Sequence, residues 1–121
     1  MKIFISSKVK HAPKWRKLRD RYVPIISTWI DEAGPGESMC FKDLWKRCVS
    51  EASSADALLL YVEEGDHLKG ALVEVGAALS NEVPVYVVGT PDGSWINHYN
   101  VTQCKDLDDA LTQIGQLGNK E

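Results

Sequence analysis

Two stretches of this 121-residue chain limit what it can fold into: Asp56–Val62 (DALLLYV) and Val83–Gly89 (VPVYVVG). Each is apolar almost throughout, with no alternation of apolar and polar positions. A strand with one wet face alternates, whereas a strand covered on both faces does not. Both runs are also too short for an ordinary helix. They predict interior strands of a parallel sheet.

Strand-like and helix-like segments alternate around them. Lys2–Ser6 (KIFIS) reads as an opening strand that stops at Ser6-Ser7. Pro13 to Tyr22 reads as a short basic helix, with Pro13 in the first turn, where its missing N–H costs nothing. Val23–Ile30 (VPIISTWI) returns to β-branched composition and is expected as a strand, and Asp31–Met39, with Gly34-Pro35-Gly36, as a loop. Within Phe41–Ser54, Leu44, Trp45, Cys48, Val49 and Ala52 recur at helical spacing. Glu63–Lys69 is a polar loop, and Gly70–Asn81 is a helix small enough in side chain to lie close to a sheet. After a loop at Pro91–Asn100, Val101–Cys104 is a short edge strand. Leu107, Ala110, Leu111, Ile114 and Leu117 make one face of a closing helix. The alternation predicts an α/β fold, a flavodoxin- or Rossmann-like three-layer sandwich with a parallel sheet of about five strands. A single domain over residues 1–121 is expected.

Composition narrows the partners. The longest uncharged apolar runs are a handful of residues, far from the ~20 of a membrane-spanning helix. The opening MKIFISSKVK does not have the pattern of a signal peptide. Three cysteines without C-x-x-C spacing and three scattered histidines argue against structural zinc and for a reducing, cytoplasmic setting. No metal or cofactor is expected. Residues 1–21 hold eight Lys or Arg against the single acid Asp20, on a chain of net charge −3. That asymmetry fits either a local anion site or a solvated helix face, and no specific nucleic-acid or membrane partner is expected.

In parallel sheets, ligands sit beyond the carboxyl ends of the strands. Those tips are Ser6-Ser7-Lys8, Trp29-Ile30-Asp31, Glu63-Glu64-Gly65 and Gly89-Thr90. Gly65 and Gly70 allow close approach of the backbone to a ligand, and Gly70 opens a helix whose free N–H groups can receive an anion. Glu74 lies near that helix start in an otherwise uncharged element. A carboxylate there suits a nucleophile or a stabiliser of positive charge on a sugar carbon; a first-turn glutamate that only caps the helix is the alternative.

Ala55-Asp56, the apolar strand, the Gly-containing loop and Glu74-Val75-Gly76-Ala77-Ala78 resemble the nucleoside 2-deoxyribosyltransferase family and the related deoxynucleoside-monophosphate N-glycosidases, over roughly residues 2–89. The resemblance implies that Glu74 attacks the anomeric carbon of a nucleoside. Cys48 stands where that family usually has an aspartate, and Leu68 where it tends to have a polar residue. The resemblance also implies a homodimer or larger assembly, because the family's region after the fourth strand enters a neighbouring subunit's site; here that region holds Trp95, Asn97 and His98. KIFISS and Trp29-Ile30-Asp31 with Gly34-Pro35-Gly36 are similar to TIR domains, which implies NAD cleavage as another activity.

The expected function is hydrolysis or transfer at the N-glycosidic bond of a nucleotide or nucleoside. Glu74 and Asp31 are the expected catalytic residues, Asp31 contacting the sugar or donating a proton. Ser6, Ser7, Lys8 and Lys69 are expected on phosphate and Trp29 against a base, with Gly65, Asp66, Gly70, Asn97 and His98 completing the binding site. The alternatives are a non-catalytic binder of nucleotide-derived ligands and a TIR-like NAD-cleaving enzyme.

Overall fold

A computed structural model describes residues 1–32 and 40–118. Strands β1 (Ile3–Ser6), β2 (Ala57–Tyr61), β3 (Val85–Val88) and β4 (Val101–Cys104) form one sheet in the order β1-β2-β3-β4, every neighbouring pair parallel. Every residue of β1, β2 and β3 is buried, as expected of the two apolar runs, whereas β4 is half-exposed at the edge. Helices α1 (Ala12–Asp20), α2 (Phe41–Ser54), α3 (Gly70–Ser80) and α4 (Leu107–Gly118) complete the α/β fold. α3 packs on β1, β2 and β3, α2 lies along α3, and α4 covers β2, β3 and β4. Phe4, Ile5, Leu58, Leu59, Leu60, Val85 and Val87 form the centre of the core. Among the described residues, no helix is long and apolar enough to cross a membrane.

The sheet has four strands among the described residues, not about five, because Val23–Ile30 does not form one. The segment starts as a strand would. Ile25 makes a single parallel bridge to Ile3, with Ile3 N–H donating to Pro24 O and Ile26 N–H donating to Ile3 O, both at 2.9 Å. The next rung would need the Thr28 N–H, but that group donates to Glu51 Oε1 on α2 at 3.1 Å, and the Thr28 hydroxyl donates to Oε2 at 2.9 Å. The chain turns into a 3-10 helix at Thr28–Asp31. Two side chains replace the missing rung. Ile5 N–H donates to Ser27 Oγ at 2.6 Å, and Trp29 Nε1–H donates to Ile5 O at 2.7 Å. The expected loop from residue 33 to 39, with Gly34-Pro35-Gly36, lies outside the described residues.

Ile5 is fully buried, so either replacement, if removed, leaves a backbone group without a partner. Ser27→Ala and Trp29→Phe should each cost about 1–3 kcal/mol in unfolding free energy, Trp29→Phe with an added packing loss. Urea denaturation checks this. A Ser27→Ala loss below about 0.5 kcal/mol, the low end for a net hydrogen bond, would mean the Ile5 N–H finds another partner.

Candidate functional site

Glu74 lies in the second turn of α3, on the face turned toward β1 and α2, and is only 7% exposed. The hydroxyl of Ser6, the last residue of β1, donates to Glu74 Oε1 at 2.7 Å. Cys48, buried on α2, lies beside the same carboxyl. Burial pushes the Glu74 carboxyl up to about 7, partly opposed by the Ser6 and Cys48 contacts, while the Glu51 carboxylate adds to the rise. The Cys48 thiol is pushed up to about 12, first by burial and then by Glu74 beside it. At neutral pH Cys48 is a protonated thiol beside the carboxyl, not a nucleophile.

Glu74 and Cys48 line a cavity of about 260 Å³ between α2, α3 and the end of β1. Trp29, Phe41, Leu44, Trp45 and Leu68 supply its apolar walls. Lys8 and Lys69 also line it, and neither makes an ion pair among the described residues. α3 begins without a side-chain cap. A Cβ on Gly70 would lie 2.6 Å from the Trp45 ring, so glycine here lets the indole cross the start of α3. The expected close approach at Gly70 is therefore made by Trp45.

Ser6, Ser7, Lys8, Trp29, Lys69, Gly70 and Glu74 are thus brought together, six of them lining the cavity and Ser6 bonded to Glu74. Ser7 already has its hydroxyl engaged, accepting from Trp15 Nε1 at 2.8 Å and donating to Lys8 O at 3.0 Å. The other expected residues lie elsewhere. Asp31 does not line the cavity; both its oxygens accept from Arg19 at 2.8 Å, and the guanidinium holds its carboxyl below the usual range. The Asp66 carboxylate is shut from solvent against Lys10 Nζ and His11 Nε2, each at 2.9 Å, and takes the Glu63 N–H. These contacts hold it well below the ordinary carboxylate range. Gly65, at φ +87°, makes the turn before it. Asp66 pins the 3-10 turn at Val9–His11, just before α1, to the loop after β2.

Asn97 donates to Ser94 O, and His98 accepts the Asn100 N–H and stacks on Tyr99, away from the cavity. Trp95 folds back onto its own core and donates to Asp92 O. From the sequence, Trp45 is only a packing position on α2, and Cys48 is a packing position that also stands where the resembled family has an aspartate. Their helical spacing was the available signal, since that face meets α3 and Glu74. Among the described residues no three His, Cys, Asp or Glu side chains are grouped to hold a metal.

The raised Glu74 carboxyl fixes the sign of a pH effect. Between the ordinary 4.5 and about 7 the folded chain binds a proton that the unfolded chain has released. The associated stability is complete below 4.5 and is lost as pH rises through about 7. Urea titrations near pH 5 and pH 8 should show wild type losing on the order of 3 kcal/mol relative to Glu74→Gln, which lacks the titrating group. Parallel behaviour of the two proteins would remove Glu74 as the source. Comparison with protein-family models, curated proteins and solved structures finds no match.

Proposed function

We propose that this chain cleaves or transfers the N-glycosidic bond of a nucleoside or mononucleotide through Glu74. The observation that carries the reading is a buried carboxyl, pushed up to about 7, in an aromatic-walled cavity with free lysines beside it. Such bonds break through an oxocarbenium-like transition state, which an adjacent carboxylate stabilises. Glu74 is the sole carboxylate among the described residues that line the cavity. One carboxylate suffices where the leaving group is a nucleobase, a better leaving group than a sugar alcohol. In the proposed reaction an oxygen of ionised Glu74 bonds to the anomeric carbon as the C–N bond breaks, and the electron pair leaves with the base, which takes up a proton from water. Water or a second base then displaces the glutamate. Ser6 orients Oε1, Trp29 and Trp45 flank the base, and Lys8 and Lys69 neutralise a phosphate.

A volume of about 260 Å³ is just below the ~300–1,000 Å³ of common ligand sites, which favours a mononucleotide over NAD. The fold belongs to the same proposal. Ile3 shares a cleft with Ile114 of α4, while Ser6, an odd number of residues later, meets Glu74 of α3. Strand alternation then puts the two helices on opposite faces, which supports a flavodoxin-like three-layer arrangement. A homo-oligomer is also part of it. Phe41, Trp45 and Val49 form an exposed apolar stripe along α2, and its first two members line the cavity.

The second reading, a binder without turnover, is favoured by the neutral Cys48 thiol at the carboxyl, since it supplies no second charge. Chromatography of nucleosides, nucleoside monophosphates and NAD incubated with the protein separates the two. Free base should appear with a mononucleotide or nucleoside, and Glu74→Gln should lower its release by about 10³-fold or more while ligand affinity is retained. Saturable affinity with no base released from any pool would establish the binder.

A further inference from the structure

We propose that a second cleft, at the opposite end of the sheet from Glu74, docks an acidic peptide segment of a partner protein carrying a bulky apolar anchor. The cleft has a volume of about 320 Å³ and runs between Ile3, the turn at Tyr22-Val23-Pro24, and Leu111 and Ile114 of α4. From Ala110 to Gly118, α4 carries no charged residue, so that wall is neutral. The opposite rim is cationic. Arg21 adjoins the lining residue Tyr22, and Lys17 precedes Arg21 by one turn of α1, while the Met1 ammonium at the far side is paired with Asp56. Lys17 and Arg21 are exposed, and neither makes an ion pair among the described residues. Apart from Lys8 at the other end of the sheet, the remaining cations of the first helix region are engaged. Lys10, Lys14 and Arg19 are paired with Asp66, Glu63 and Asp31, and Arg16 donates to Ile30 O.

Tyr22 adds an independent sign. It ends α1 at φ +69°, a left-handed conformation that disfavours a bulky side chain, and its ring is 96% exposed. Glu82 closes α3 at φ +60°, but with a side chain that water solvates. An aromatic ring held in a strained conformation beside an open apolar cleft gains nothing from the chain's own packing. The cleft is concave, so it receives an anchor from outside. Apolar contact in the cleft and carboxylates on the cationic rim together recognise an acidic peptide.

The test uses the intact chain and a fluorescein-labelled peptide with a central Leu-Leu pair flanked by glutamates. Matched peptides carry glutamines or lysines in place of the glutamates. Fluorescence polarisation should show binding of the glutamate peptide, and the amide resonances of residues 21–23 and 111–115 should shift. Lys17→Glu combined with Arg21→Glu should weaken binding by about tenfold or more. Tyr22→Gly should also weaken it while folding at least as stably, which a merely structural tyrosine would not do. Equal binding of the glutamine or lysine peptide overturns the proposal, as do shifts confined to the Glu74 cavity or the absence of shifts at millimolar peptide. Capture by phosphatidylserine–phosphatidylcholine vesicles through the same residues, with no peptide binding, would assign the cleft to a lipid surface instead.

Discussion

The hydrogen bond from Ser6 to Glu74 joins the sheet to α3 at a carboxylate buried against the sheet. Taking a charged carboxylate out of water costs several kcal/mol unless hydrogen bonds replace its hydration. Here a hydroxyl and a neighbouring thiol replace only part, and among the described residues no cation pairs with it, so the carboxyl holds its proton up to about 7. A leucine of similar size would pack the same space without that cost. A core that retains a poorly compensated glutamate beside an open cavity has the pattern of a functional site that opposes stability.

The position of Glu74 depends on β1, and β1 depends on α2 through an indirect route. Glu51 on α2 captures Thr28, which turns the chain away from the sheet and leaves Ile5 to Ser27 and Trp29. Trp29 then has two tasks, capping the edge of β1 and walling the cavity. Glu51 also raises the Glu74 carboxyl through its charge. The edge of the sheet and the electrostatics of the site are thus set partly by one side chain. Substitutions at Glu51 would act on both, and their effects would not add simply to those at Ser27 or Glu74.

Much of this architecture was legible. The near-unbroken apolar runs identify β2 and β3, and the bounds of α2 and β4 follow from helical spacing and strand composition. Val23–Ile30 misled because β-branched residues report burial on a pleated surface and not backbone pairing. Ile25, Trp29 and Ile30 are indeed buried, but the contact that bends the segment comes from Glu51, more than twenty residues away. Asp31 misled for a related reason. A strand tip is a good place for a site carboxylate, yet without a strand the tip is elsewhere, and Arg19 lies within reach. Cys48 was read correctly as buried, but its neighbour Glu74 belongs to another helix and no local pattern pairs them.

The basic opening quarter of the chain shows how a single compositional signal can hold several physical roles. A net count treats its eight cations as one field. In the fold, Lys10, Lys14, Arg16 and Arg19 are each engaged within the chain, tying the turn at Val9–His11 and α1 to Tyr61 and the loop after β2 and to the turn at Thr28–Asp31. Lys8 alone lines the Glu74 cavity. Lys2, Lys17 and Arg21 lie toward the other end of the sheet. The two expectations for this region, an anion site and a solvated face, therefore describe different residues. The Asp66 carboxylate is shut from solvent, so salt screens its contacts to Lys10 and His11 less than it screens the exposed Lys17 and Arg21. Added salt would thus weaken anion binding at the second cleft before it loosened Asp66, so ionic strength separates binding there from stability.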